Sequence, residues 1–219
     1  MIVLVGGIKG GSGKTTVATH LAILRAADGA DVLLVDADDQ ETASDFTLLR
    51  NERRGGDAGY TGVKLTGMAV RTELIRLKSK YDDIIIDSGG RDTGSQRAGL
   101  TVADVALIPC LPRSFDIWTL EKTADLIRQM LPANPGLNAS VFLNRTDPSG
   151  SDNDEALVAL KGKEDVLTFM DTSVAARKAF SNAATAGLAV TEFKPRTEKA
   201  IAEITALYHR VFIAMPGSR

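Results

Sequence analysis

Eight residues near the start of the chain have the types and the spacing to hold a phosphate: Lys9-Gly10-Gly11-Ser12-Gly13-Lys14-Thr15-Thr16. Glycines let backbone N–H groups converge on phosphate oxygens with no Cβ in the way. A helix beginning at the loop adds its free N–H groups and partial positive charge. Lys14 would reach the terminal phosphates of a bound nucleotide, and the Thr15 hydroxyl would help hold Mg²⁺. Gly10, Gly11, Ser12, Gly13 and Thr16 would supply the backbone cradle. The flanks support this reading. The apolar run Ile2 to Val5 reads as a buried strand and Val17 to Ala27 as a helix, the strand–loop–helix context that the chemistry needs.

Two more acidic strand ends lie downstream. Val32-Leu33-Leu34-Val35 runs into Asp36-Ala37-Asp38-Asp39-Gln40, and Ile84-Ile85-Ile86 runs into Asp87. Carboxylates at the carboxyl ends of parallel strands stand where open α/β sheets bind ligands. Asp87 has the form of a Walker B aspartate, which holds the water shell of Mg²⁺. The Asp36–Gln40 cluster has a plainer alternative, ending the strand and capping the next helix. After Asp87, Ser88-Gly89-Gly90-Arg91-Asp92 is flexible enough to sense a terminal phosphate; Arg91 would touch phosphate or a partner, or simply be exposed.

The loop departs from the general phosphate-loop pattern, which places Gly five residues before Gly13. That residue is Ile8, and a second lysine, Lys9, precedes Gly10-Gly11 instead. This form resembles the deviant Walker A box of the ParA/MinD ATPases. Asp-x-Asp-x-Gln is similar to that family's second motif, with Asp39 where the family has proline. The segment Cys110 to Trp118 resembles the Pro-x-x-Pro-Ser-x-x-Asp stretch of short plasmid-partition ParA proteins. The resemblance spans nearly the whole chain. It implies ATP and Mg²⁺ as ligands, Asp38 orienting the attacking water, Asp36 behind the metal, and Lys9 crossing to the nucleotide of a second copy. It also implies an ATP-bound homodimer that binds DNA without sequence preference, and an adaptor, centromere-binding or cargo-bound, that stimulates hydrolysis. Asn144, at the end of an apolar strand, would approach adenine, or else be a strand-terminal turn residue. DNA contacts in relatives fall in the C-terminal third, here Arg177, Lys178, Lys194, Arg196, Lys199 and Arg210, which would otherwise be solvated surface charges. The resemblance to short plasmid-partition ParA proteins implies plasmid DNA as the cargo, with a protein assembly such as a microcompartment or chemotaxis cluster as the alternative. A MinD-like membrane cycle fits less well, since only Met215 to Arg219 follows the last helix, with no basic amphipathic tail.

The elements that must position these residues are legible as alternating strands and helices. Five or more apolar strands alternate with helices, which implies an α/β fold: a mostly parallel, twisted sheet covered on both faces, of phosphate-loop ATPase type. Glu41 to Arg54 reads as a helix with a basic end at Arg50, Arg53 and Arg54. Residues 55–67 carry five glycines and read as an irregular connection or short edge strand. Met68 to Lys80 reads as a helix buried along Val70, Leu74 and Leu77. Strands are expected at Val105–Pro109, Ala139–Leu143 and Asp165–Met170, and helices at Leu120–Leu131, Glu155–Lys161 and Glu198–Ala214, the last with Ile201, Ile204, Leu207, Val211 and Phe212 inward.

Composition narrows the classes. At 219 residues, 44% hydrophobic and 25% charged, the chain reads as one globular domain, residues 1–219. Net charge is −2, so DNA binding would need a local basic patch. No run of about 18 apolar residues is present, and the chain opens on a core strand, leaving no room for a secretory signal. A single cysteine, Cys110, fits a buried thiol in a reducing cytoplasm and excludes an internal disulfide and a structural zinc site. The expected location is cytoplasmic, on the nucleoid and not stably on a membrane.

Overall fold

A computed structural model describes residues 1–112, 114–147 and 165–214, with side chains of 114–118 set aside. The expected polar loop after Pro148, the helix at Glu155–Lys161 and the tail from Met215 lie outside the described residues. Seven strands form one parallel sheet: β1 (Ile2–Val5), β2 (Val32–Ala37), β3 (Thr61–Lys64), β4 (Asp83–Ser88), β5 (Val105–Cys110), β6 (Asn138–Thr146) and β7 (Thr168–Ala175). Their spatial order is β3-β2-β4-β1-β5-β6-β7. β1 therefore lies between β4 and β5, where the chain's progress across the sheet reverses, and ligands bind above such points.

Seven described helices cover the sheet: α1 (Lys14–Ala27), α2 (Thr42–Arg53), α3 (Ala69–Leu77), α4 (Gly94–Leu100), α5 (Ser114–Met130), α6 (Lys178–Thr185) and α7 (Glu198–Phe212). Strand side chains alternate between two cores. Leu4, Ile84 and Ile86 join Val70, Leu74, Leu100 and Ile127 on one face. Val3, Val5 and Ile85 join Val17, Leu21, Phe180, Ile204, Leu207 and Val211 on the other. Because both faces are covered, the central strands β1, β2, β4 and β5 are buried at every position rather than at alternate ones.

Most expected boundaries hold within a few residues, with informative exceptions. β6 continues past Leu143 to Thr146, so Asn144 sits inside a strand and not in a terminal turn. β7 begins at Thr168 and runs on through Ser173, Val174 and Ala175, which pair with Leu143, Asn144 and Thr146. A neighbouring strand thus extends a segment whose own apolar pattern is weak. Arg50, expected in an exposed basic helix end, is buried. Its guanidinium donates to Ala58 O (2.7 Å), Gly187 O (3.0 Å) and the Glu192 carboxylate (2.7 and 2.8 Å). The partners that draw it inside lie up to 142 residues away in sequence, beyond the reach of local pattern.

Candidate active site

β1 delivers the glycine-rich loop and α1 leaves it. Gly13 stands at the helix N-cap with φ +89, and no side chain caps the helix. The loop backbone and first turn thus face a cavity of about 610 Å³ lined by Gly10, Gly11, Gly13, Lys14, Thr15 and Thr16. A side chain at Gly13 would be strained by that φ and would also bring a Cβ within 2.5 Å of Asn144 Nδ2. Asp38, Asp39, Gln40, Gly89, Gly90, Arg91 and Arg145 also line it. The strand ends of β1, β2 and β4 therefore bring together the glycine loop, Asp38 and the loop after Asp87.

Lys14 is buried, and its ammonium donates to Lys9 O at 2.7 Å. Burial lowers its pKa below the usual lysine range, against the pull of Asp87 and Asp38. Asp87 pairs in register with Val5 on one side and Asp36 on the other. It is 1% exposed, and among the described residues neither carboxylate oxygen has a hydrogen-bond partner of standard geometry. Burial pushes its pKa up to about 7; Asp36 and Asp38 add to the rise, while Thr15 and Lys14 oppose it. An unpartnered buried carboxylate beside a Thr hydroxyl and a Lys is costly by itself and suited to a cation. Among the described residues no group of three His, Cys, Asp or Glu could hold a metal alone. That fits Mg²⁺, which is held by one or two protein groups plus phosphate oxygens and water.

Asp36 is as buried as Asp87 but fully engaged. It accepts from Asp38 N (3.1 Å), Ser44 N (2.8 Å) and Ser44 Oγ (2.7 Å). It thereby does the work of the missing cap on α2, whose N-cap residue Glu41 has φ +56 and makes no capping bond. Asp38 accepts from Gln40 N at 3.2 Å, a local Asx turn that holds the tip of this loop without proline. Lys9 is not in the phosphate cavity lining; it lines a small neighbouring cavity with Ile108, Cys110 and Thr123.

A second cavity, about 410 Å³, shares Gly13, Thr16 and Arg145 with the first and runs on past Asn144, Val174, Phe180 and Ser181. Asn144 is buried and donates from Nδ2 to Ser12 O at 2.6 Å; Arg145 donates to Gly11 O at 2.9 Å. The extended β6 thus braces the glycine loop, a role that sequence reading missed. The signal was the Asn-Arg pair immediately after the apolar run.

Of the basic residues proposed for DNA, Arg177 is held by Glu203 (2.6–3.2 Å) and lines the second cavity. Arg196 reaches Glu198 at 3.3 Å. Lys178, Lys194, Lys199 and Arg210 are exposed. Among the described residues no helix is long and apolar enough to cross a membrane.

Known proteins resemble this chain along nearly its whole length. Two proteins called "Maintenance of carboxysome distribution protein A" align along the chain. The one from Gloeobacter kilaueensis is 31% identical over 205 residues, covering 93% of this chain and 88% of that protein. The one from Halothiobacillus neapolitanus is 26% identical over 208 residues, covering 94% of each. Among solved structures, an ATP complex of Cyanothece McdA superposes with a TM-score of 0.78 at 19% identity, over 95% of both chains. A putative plasmid partition protein from Borrelia burgdorferi bound to AMPPNP gives 0.75 at 19% identity, over 96% of this chain and 98% of that one. The family model described as "CobQ/CobB/MinD/ParA nucleotide binding domain" matches residues 3–208, and the chain belongs to that family.

Proposed function

We propose that this protein is an ATP-hydrolysing positioning switch that distributes a protein assembly along DNA. The observation that carries the ATPase reading is Asp87, buried and unpartnered beside Thr15 and Lys14 at the foot of the glycine loop. The 610 Å³ cavity suits the phosphates and the adjoining 410 Å³ cavity the nucleoside. Asn144, with one N–H given to Ser12, keeps its carbonyl oxygen and other N–H for an adenine edge. Thr15 and Asp87 would hold Mg²⁺, with Asp36 behind them fixing the loop that carries Asp38. When bound, Mg²⁺ neutralises charge on the terminal phosphates. Lys14 adds a second positive charge there, and the first-turn N–H groups of α1 a third source. Asp38 orients the water. The water oxygen bonds to the terminal phosphorus as the bond to the bridging oxygen breaks, that electron pair leaves with ADP, and the water's proton passes to the released phosphate.

Dimerisation completes the site. Lys9 would turn out of the small cavity it lines and reach the phosphates of a second copy. The ATP-bound pair would ride on DNA through Lys178, Lys194, Arg196, Lys199 and Arg210, with Arg177 released from Glu203 or serving only to hold α7. An adaptor on the cargo would trigger hydrolysis and release. The two whole-length relatives named for carboxysome distribution favour a protein assembly as cargo. The plasmid cargo suggested by the Cys110–Trp118 segment is the second reading; the Borrelia likeness supports the shared fold only.

The test is binding to random duplex DNA at low salt without nucleotide, with ADP, with ATP and with a non-hydrolysable analogue. Binding confined to the triphosphate states, abolished by Lys14→Ala and falling steeply with salt, is the expected result. Equal binding in all states would sink the switch.

A further inference from the structure

The loop after β4 is fixed on both sides of a single uncommitted charge. Gly90 lies against the glycine loop so closely that an added Cβ would fall 2.7 Å from Gly10 Cα and 2.8 Å from its nitrogen. At Gly89 the same atom would stand 3.0 Å from Asp38 Oδ1. On the far side, Asp92 is gripped by two Arg97 bonds of 2.6 Å, and Thr93 accepts from Gln96 N at 3.1 Å to cap α4. Gln96 Oε1 in turn accepts from Gly7 N (3.2 Å) and Ser88 Oγ (2.9 Å), tying α4 back to the root of the glycine loop.

Arg91 sits between these anchors. It lines the phosphate cavity with Gly10, Gly11, Lys14 and Asp38. Of the other arginines nearby, Arg97 is spent on Asp92 and Gln129, while Arg145, on the far wall, gives one N–H to the Gly11 carbonyl. Arg91 makes no hydrogen bond or ion pair with any described residue, although Asp38 and Asp39 line the same cavity. A planar guanidinium with free N–H pairs, carried on a backbone packed against the glycine loop, suits a bidentate phosphate contact. Its cavity is that of the chain's own glycine loop, which favours the nucleotide on the same protomer over one on a partner.

We propose that Arg91 is the terminal-phosphate sensor of this chain, contacting the last phosphate of the protomer's own nucleotide and so separating triphosphate from diphosphate. This rests on the nucleotide reading above. The charge that Arg91 brings would also stabilise the transferring phosphoryl group.

Calorimetric titration of Mg²⁺-ADP and Mg²⁺-AMPPNP, at protein concentrations where the chain sediments as a monomer, tests this. For Arg91→Ala the ADP affinity is expected to stay within about twofold, while AMPPNP affinity falls about tenfold to a hundredfold, the worth of a charge-assisted hydrogen bond. Arg91→Lys should recover part of the AMPPNP affinity, since a point charge lacks the fork. Unchanged AMPPNP affinity in Arg91→Ala overturns the assignment. An equal loss for ADP and AMPPNP also overturns it. A loss seen only at concentrations that give dimers would assign the contact to the partner's nucleotide and reject the own-site form. Wild-type protein that binds neither ligand would overturn the nucleotide reading itself, a result distinct from any of these.

Discussion

Two buried charges stand on opposite sides of this molecule's accounting. Arg50 and Asp87 are 2% and 1% exposed. Arg50 is saturated by two carbonyls and both oxygens of Glu192, and it bolts α2 to the segment before α7. Among the described residues Asp87 has no partner of standard geometry for either oxygen. Burying a charge costs several kcal/mol unless it is paired and hydrogen-bonded. A satisfied buried charge is therefore explained by the fold that surrounds it. An unsatisfied one needs something outside the chain to explain it. The same contrast extends to the neighbours. Around Arg50, His20 donates from Nδ1 to Thr16 O (2.7 Å) and accepts from Val190 N (3.1 Å). Around Asp87, the first turn of α1 is uncapped and the Lys14 ammonium rests on a loop carbonyl.

If this contrast is right, the two regions should fail differently. The largest effect is expected at Arg50→Ala, which unpairs two buried carbonyls and leaves Glu192 only Arg54 and the Ala189 N–H, and should cost about 3–5 kcal/mol of stability in urea unfolding. A loss below about 1 kcal/mol would erase the distinction. His20 comes next. Burial lowers its pKa from 6.5 to about 4, so the folded chain refuses a proton that the unfolded chain takes. That stability is fully present above pH 6.5 and is lost as pH falls toward 4, about 3 kcal/mol in all. The unfolding free energy of wild type, taken as a difference from His20→Gln across pH 4–7, should show this slope; a flat difference would contradict it. Asp87→Asn should move the other way, stabilising the metal-free protein by about 1–3 kcal/mol, because the uncompensated charge is gone. Thermal unfolding in EDTA reads this, and a destabilised variant would mean that the carboxylate has a structural partner. The smallest effect is expected at Tyr208→Phe, which removes the hydrogen bond to Asp28 joining α7 to the end of α1. About 1 kcal/mol should be lost, with nucleotide affinity unchanged.

The phosphate side was legible from sequence because its chemistry is local. Lys9 to Thr16 are contiguous, Asp36 and Asp87 end apolar strands, and the parallel sheet follows from central strands that are buried throughout. The expected set Lys14, Thr15, Asp38 and the loop after Asp87 does meet at one cavity. Lys9 meets it only as an expectation, since it lines the neighbouring space instead. The bolted side was not legible. Arg50 reads as a helix-end charge until Glu192 comes near, and His20 reads as one more α1 residue until Val190 closes over it. Asn144 shows the intermediate case. Its type suggested a polar contact, but only the extension of β6 along β7 reveals that the contact includes the Ser12 carbonyl.

The most direct measurement is the affinity for AMPPNP with and without Mg²⁺, for wild type and for Asp87→Asn. The account expects Mg²⁺ to tighten binding to wild type at least about tenfold, a difference of about 1.4 kcal/mol, and to leave Asp87→Asn almost unaffected. Equal affinity with and without Mg²⁺ in the wild type, or an undiminished Mg²⁺ effect in Asp87→Asn, would contradict the claim that this unpartnered carboxylate marks a metal–nucleotide site.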